Sequence, residues 1–198
     1  MILLAGPLLL FNPWFTAALQ SRHDVAARLN TTEAEVDRVT GSLLADIYTQ
    51  GDFEASLDGS QPLLDERERS HMGDVSRLVR LLYVVLGVAG AVVLLGAYLL
   101  AGERRRLGRL LFGTAAGIGA AGLLIGVAFA VAFEATFLAF HAVFFPPGTY
   151  LFEEGSDLIA LFPEPFWFEA ALIAGAAVVL SALVAGIIGW RLLRGPEG

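Results

Sequence analysis

No cysteine occurs in the chain. Disulfides, thiolate metal ligands and a cysteine nucleophile are thereby excluded. Lysine is missing as well. All 13 basic residues are arginine, against 20 acidic residues, and the net charge is −7. That balance argues against nucleic acid as a partner, because phosphate binding needs an excess of clustered cations. What remains is apolar. Hydrophobic residues make up 56% of the chain and the mean hydropathy is +0.67, too high for a soluble domain of 198 residues. The sequence reads as one all-α membrane domain over residues 1–198.

Crossing a bilayer as a helix takes about 20 mainly apolar residues. Three runs meet that length, over 78–102, 110–133 and 166–190. A fourth candidate opens the chain, "MILLAGPLLLF" continuing through "NPWFTAAL", and a helix over about 1–19 completes a set of four. Pro13 would kink or start it. A cleaved signal peptide is the rival reading, but no basic stretch precedes the apolar run, so the segment is expected to stay attached. Two polar stretches remain, 20–77 and 134–165. In the first, "NTTEAEVDRVTGSLLADIYTQ" places Val36, Val39, Leu43, Leu44 and Ile47 at helical spacing behind a capping threonine.

Arginine placement sets the expected orientation. The connector "GERRRLGR" carries Arg104, Arg105, Arg106 and Arg109, and the tail carries Arg191 and Arg194. Both are expected in the cytoplasm. Residues 134–165 contain no base and 20–77 are rich in acids, so both stretches are expected outside as an extracellular cap. Arg77 and Arg80 run against this rule but are outnumbered.

All three histidines, His23, His71 and His141, fall on the outer side in this arrangement. Imidazole is the side chain suited to moving protons near neutral pH. Glu68 and Asp74 flank His71 at about one helical turn each, so either carboxylate is placed to orient its ring. His71 could equally be a solvated interfacial residue, and His141 a snorkelling one. His141 lies in "FHAVFFPPGTYLFEEGSDLIALFPEPFW", residues 140–167, dense in aromatics and acids and devoid of bases. Aromatic belts at interfaces account for the rings alone. They do not account for an acid such as Asp157 beside Leu158 and Ile159, and an ionisable residue at that depth marks a site. Tyr150, in the same segment, joins the supporting candidates. Glu134 and Glu169 flank it as interfacial anchors. Two histidines and a carboxylate can hold zinc, but no His-Glu-x-x-His is present. Ser70, Ser76 and Ser156 lie near the histidines, none within Gly-x-Ser-x-Gly.

"ERERS" before "HMGDV" at 71–75, "FHAVFF" at 140–145 and "SDLIALFPEPFW" at 156–167 together resemble the Lit family of bacterial lipoprotein intramolecular transacylases. The resemblance implies four transmembrane helices, an extracellular cap and a diacylglyceryl-modified lipoprotein as substrate among membrane lipids. It implies transfer of the sn-2 acyl chain to the amine of the N-terminal cysteine, without a cofactor. The family's two catalytic histidines map onto His71 and His141, and its supporting acids onto Asp74 and Asp157. The chemistry suits the composition: nucleophile and ester sit on one substrate, so no serine or cysteine of the enzyme is needed. The competing readings are a non-catalytic membrane protein whose cap binds a lipoprotein or another partner, and a membrane lipid hydrolase or metalloenzyme.

The arginine asymmetry generates the first prediction. Reporter fusions at residue 105 are expected to register as cytoplasmic, and fusions within 20–77 or 134–165 as extracellular. Residue 105 on the outside would end the cap arrangement.

Overall fold

The computed structural model describes residues 11–153 and 155–194. These form eight helices and, among the described residues, no strand: α1 (Pro13–Arg22), α2 (Val25–Arg28), α3 (Glu33–Thr49), α4 (Glu66–Leu99), α5 (Arg104–Val131), α6 (Phe133–Phe144), α7 (Asp157–Leu161) and α8 (Glu164–Arg194). α4, α5 and α8 are long and apolar enough to cross a membrane. Most of the expected first span, 1–19, lies outside the described residues. Its described part is α1, whose ten residues reach about 15 Å, half the hydrocarbon core. Three crossings are therefore described rather than four.

Local chemistry explains where the helices begin. Asn12 caps α1, its side chain accepting from the Trp14 N–H at 3.0 Å, and Pro13 takes the first helical position, where a missing N–H costs nothing. Thr32 caps α3 by accepting from the Glu35 N–H. Asp65 and Glu68 form a reciprocal capping box at the start of α4. That helix begins well before the apolar run at 78, so His71 is carried on a continuous, rigid rod that enters the membrane. The third expected span, 110–133, ends at a break. Ala132 leaves helical geometry at φ −140°, ψ 58°, and across the break the Ala128 carbonyl accepts both the Ala132 N–H at 2.9 Å and the Thr136 hydroxyl at 3.2 Å. Helix resumes as α6 over much of what the sequence presents as a loop.

The cap has its own small core. Val36, Val39, Leu43, Leu44 and Ile47 of α3 pack with Val25, Phe53, Leu64, Met72, Val79, Leu158 and Leu161. The helical spacing of those α3 residues thus marks the buried face. Gln20 crosses this core fully buried, donating to Thr40 Oγ1 at 3.0 Å and to the Leu161 carbonyl at 3.0 Å. It ties α1, α3 and α7 together. At the membrane end, Glu169 of α8 pairs with Arg22 and meets His23 Nε2 at 3.0 Å, fixing α1 against α8.

In the membrane, α5 and α8 run antiparallel along their length and touch through small residues. A β-carbon at Gly108 would lie 2.8 Å from the Gly189 carbonyl oxygen, and one at Gly189 would lie 2.7 Å from the Phe112 nitrogen. Gly119 faces Ala182, and Gly126 faces Gly175. Lipid tails are as apolar as leucine, so close backbone approach supplies the association that hydrophobicity cannot. The span of α4 past Val79 presents its apolar side chains outward, Val88, Leu94 and Tyr98 among them.

The contact at Gly108 generates the second prediction. Gly108→Ala is expected to destabilise the protein in detergent by about 1–3 kcal/mol through overpacking. Gly113, whose added β-carbon would meet nothing within 4 Å, is the control: Gly113→Ala is expected to be neutral or stabilising by up to about 1 kcal/mol. Thermal unfolding followed by circular dichroism separates the two. Equal effects would contradict the close-packed α5–α8 seam.

Candidate active site

His71 sits one turn beyond the capping box of α4, and His141 sits in the last turn of α6. The fold brings these distant residues together, with ring centroids 5.9 Å apart and planes inclined by 24°. His71 is only 6% exposed. The Phe145 ring lies 4.8 Å from it and Phe152 meets it edge-on at 5.5 Å. Phe137 is 4.3 Å from His141, and Tyr150 is 5.3 Å from it. Both imidazoles line a cavity of about 350 Å³ whose wall is largely apolar and aromatic, including Phe137, Tyr150, Leu158 and Trp167, with Glu134 and Glu164 also on its lining.

The hydrogen bonds differ between the two rings. His141 Nδ1 lies 2.8 Å from the Phe137 carbonyl, one turn earlier in α6. A carbonyl oxygen can only accept, so Nδ1 carries the proton and Nε2 keeps its lone pair. His71 Nδ1 is buried and has no hydrogen-bond partner among the described residues. Burial pushes the His141 pKa below the ordinary imidazole value, and the bond to Phe137 partly opposes this. At neutral pH His141 is therefore a neutral base with a defined tautomer.

The supporting acids are arranged otherwise than their spacing along α4 suggests. Glu68 is 3% exposed, and its carboxylate is bonded to groups other than the imidazoles. It accepts from the Asp65 N–H at 2.8 Å, from the Leu158 N–H at 3.0 Å and from the Ser156 hydroxyl. It holds α7 against the start of α4, because its place in the capping box turns it toward that strap. Asp74 pairs with Arg77, one turn further along α4, and makes no hydrogen bond to an imidazole. Its charge still acts on His71 through space. Asp157 opens α7 on the side of Glu68 and Asp65. Burial raises its pKa first, and those two carboxylates raise it further. It does not line the cavity. Tyr150 does, its ring tilted by 40° against His141. His23 is committed to Glu169 and joins neither imidazole.

Two of the serines considered from sequence are already engaged. Ser76 donates to the Ile47 carbonyl at 2.7 Å, and Ser156 caps α7 while donating to Glu68. Among the described residues, no three histidine, aspartate or glutamate side chains converge as a metal site. Sequence reasoning missed the Phe137 carbonyl, Phe145 and Phe152 as partners of the imidazoles. The four-residue step from Phe137 to His141 was the available signal for the first. Phe145 and Phe152 lie in the aromatic-dense stretch 140–167, whose spacing does not say which rings meet His71.

Comparison with known proteins now bears on this geometry. The fold matches the lipoprotein intramolecular transacylase Lit from Bacillus cereus with a TM-score of 0.79 at 20% identity, covering 98% of this chain and 86% of that one. A histidine-to-arginine variant of the same protein matches with a TM-score of 0.78 at 16% identity, covering 98% and 85%. An uncharacterized protein of Aquifex aeolicus (strain VF5) is 27% identical over 146 residues, 71% of this chain; the chain spans 64% of that relative's length. The family model for lipoprotein intramolecular transacylase Lit matches residues 1–167, a stretch that holds both cavity imidazoles, and the chain belongs to that family.

Proposed function

We propose that this membrane protein is a lipoprotein intramolecular transacylase acting through His71 and His141, with its cavity at the outer face of the membrane. Its substrate is a diacylglyceryl-modified lipoprotein with a free N-terminal amine. The reaction moves the sn-2 acyl chain to that amine. The observation that carries this reading is the pair of imidazoles, 5.9 Å apart, on one aromatic cavity.

The uncharged fraction of the substrate amine is the nucleophile, since α-amino groups titrate at about 7.7–8.0. His141 Nε2, free because Nδ1 is bonded to Phe137, accepts the proton that the attacking nitrogen must shed. The nitrogen attacks the sn-2 ester carbonyl, a C–N bond forms and the C–O bond breaks. His71, adjacent in the same wall, relays that proton to the departing glycerol alkoxide, giving up its own N–H as it takes the proton from His141, so both imidazoles end neutral as they began. Ester becomes amide and alcohol, and water takes no part. Phe152 and Phe137 line the reacting space with rings, and Phe145 backs His71, which keeps out the water that would hydrolyse the ester instead. Holding amine and ester together is itself worth several kcal/mol of barrier, on the order of the ~7–11 kcal/mol available from orientation. The remaining supporting side chains act by position: Tyr150 packs against His141, Asp74 sets the field at His71, and Glu68 hangs the wall formed by Leu158 and Ile159.

Mass spectrometry of a reporter lipoprotein's N-terminus tests the reading directly. Wild type is expected to leave total mass unchanged with one acyl chain on nitrogen. Loss of an acyl chain would mean a hydrolase, and no change a binding module. His71→Ala and His141→Ala are each expected to lower the rate by about 10²–10⁴, with helicity retained. His23→Ala is the control and should keep near wild-type turnover. Full activity in His141→Ala would sink the two-histidine mechanism.

The lowered pKa of His141 also sets a pH dependence. Protonation removes the Nε2 lone pair, so kcat/KM should carry, beyond the limb of the substrate amine at about 7.7–8.0, a second acid limb below the unperturbed imidazole value of about 6.5. The unfolded chain binds this proton more readily than the folded one. His141 therefore costs stability as pH falls below the unfolded value, and that cost is absent above it. In His141→Ala the acid limb of stability should flatten; an unchanged limb would assign it to other groups.

A further inference from the structure

A second cavity, of about 470 Å³, lies between α5 and α8 far from the imidazoles. We propose that it is a binding furrow for one acidic glycerophospholipid, with an acyl chain along its floor and the phosphate among the arginines at its mouth. This inference is independent of the transacylase reading.

Three observations meet here. The floor is cut by small residues, Ala116, Gly119 and Ala120 on α5 and Ala182 and Gly186 on α8, so the furrow is open where larger side chains would close it. Its length from Phe112 to Leu123 is about 16 Å at 1.5 Å per helical residue. That is about half of the ~30 Å hydrocarbon core, the depth of a single leaflet. One end of the furrow is charged. Arg191 lines it beside Trp190, and the Arg194 guanidinium stacks on the Trp190 ring at 4.1 Å, which holds a second cation at the mouth.

The opposite wall ends the same way. Arg109 precedes Phe112 by three residues, one helical turn, and so continues the stripe that lines the furrow. The contact of Gly108 with Gly189 and Leu192 forces the arginine-rich ends of α5 and α8 together. Glu103, the nearby acid at the start of α5, pairs with Arg106. Arg109 and Arg191 form no ion pair among the described residues. Adjacent guanidinium groups repel one another, and a phosphate between them relieves that repulsion through charge-assisted hydrogen bonds. A zwitterionic lipid brings its own cation and gains less.

Native mass spectrometry of the full chain in detergent, titrated with phosphatidylglycerol or phosphatidylcholine of identical acyl chains, tests the proposal. One phosphatidylglycerol per chain is expected to be retained in preference to phosphatidylcholine. Arg109→Gln and Arg191→Gln should each weaken that retention about fivefold. Ala116 and Ala120 are exposed, so Ala116→Leu and Ala120→Leu fill the furrow without wedging the helices apart, and thermal unfolding checks that they fold. Both should lose the bound lipid. Equal retention of the two lipids by wild type, or unchanged retention after the furrow is filled, overturns the proposal. A chain dimer that Ala120→Leu dissolves would assign the furrow to a second copy and overturn it too.

Discussion

The buried carboxylate of Glu68 is the interaction on which the candidate site depends. It closes the N-terminus of α4 through the capping box and at the same time receives Ser156 and the Leu158 N–H. A carboxylate removed from water must find such partners, because leaving it unpaired costs several kcal/mol. Glu68 therefore fixes the strap between α6 and α8 at one height relative to His71, one turn along the same helix. Phe152, Leu158 and Ile159 reach the cavity, and Phe145 reaches the His71 ring, only because that strap is hung there.

Gln20 reinforces the strap from the other side. Its amide reaches both Thr40 and the Leu161 carbonyl, so α7 is held at each end by a buried polar group. The result is a wall with few ways to move, which suits a reaction whose main requirements are position and dryness. The polar groups serve structure, and the histidines are left with little to bond. His71 Nδ1 has no partner among the described residues, and His141 spends one nitrogen on its own helix. That leaves Nε2 of each ring without a hydrogen bond among the described residues.

Below the cap, the α5–α8 pair provides the frame. Its glycines bring two backbones into contact, and α6 continues from α5 after the break at Ala132. The position of His141 is thus referred to the α5–α8 seam, while His71 is referred to α4. The two rods meet through aromatic contacts at the cavity rather than through close packing in the membrane.

Much of this was legible in the sequence. Apolar runs of spanning length, the capping Thr32 and the spacing of Val36 through Ile47 are local signals, and local rules suffice for them. The histidines were also legible as a pair, because two chain segments ending at one membrane depth constrain where their side chains can be. Tertiary structure alone decided what the acids do. Glu68, Asp74 and Asp157 all stand within a turn or so of a candidate histidine or beside its segment, and spacing cannot say which way a carboxylate turns. Glu68 turned to the strap, Asp74 to Arg77, and Asp157 to the side of Glu68 and Asp65. The reason is physical: a sequence fixes distance along a helix, but the partner of a buried charge is chosen by whatever the rest of the chain packs against it.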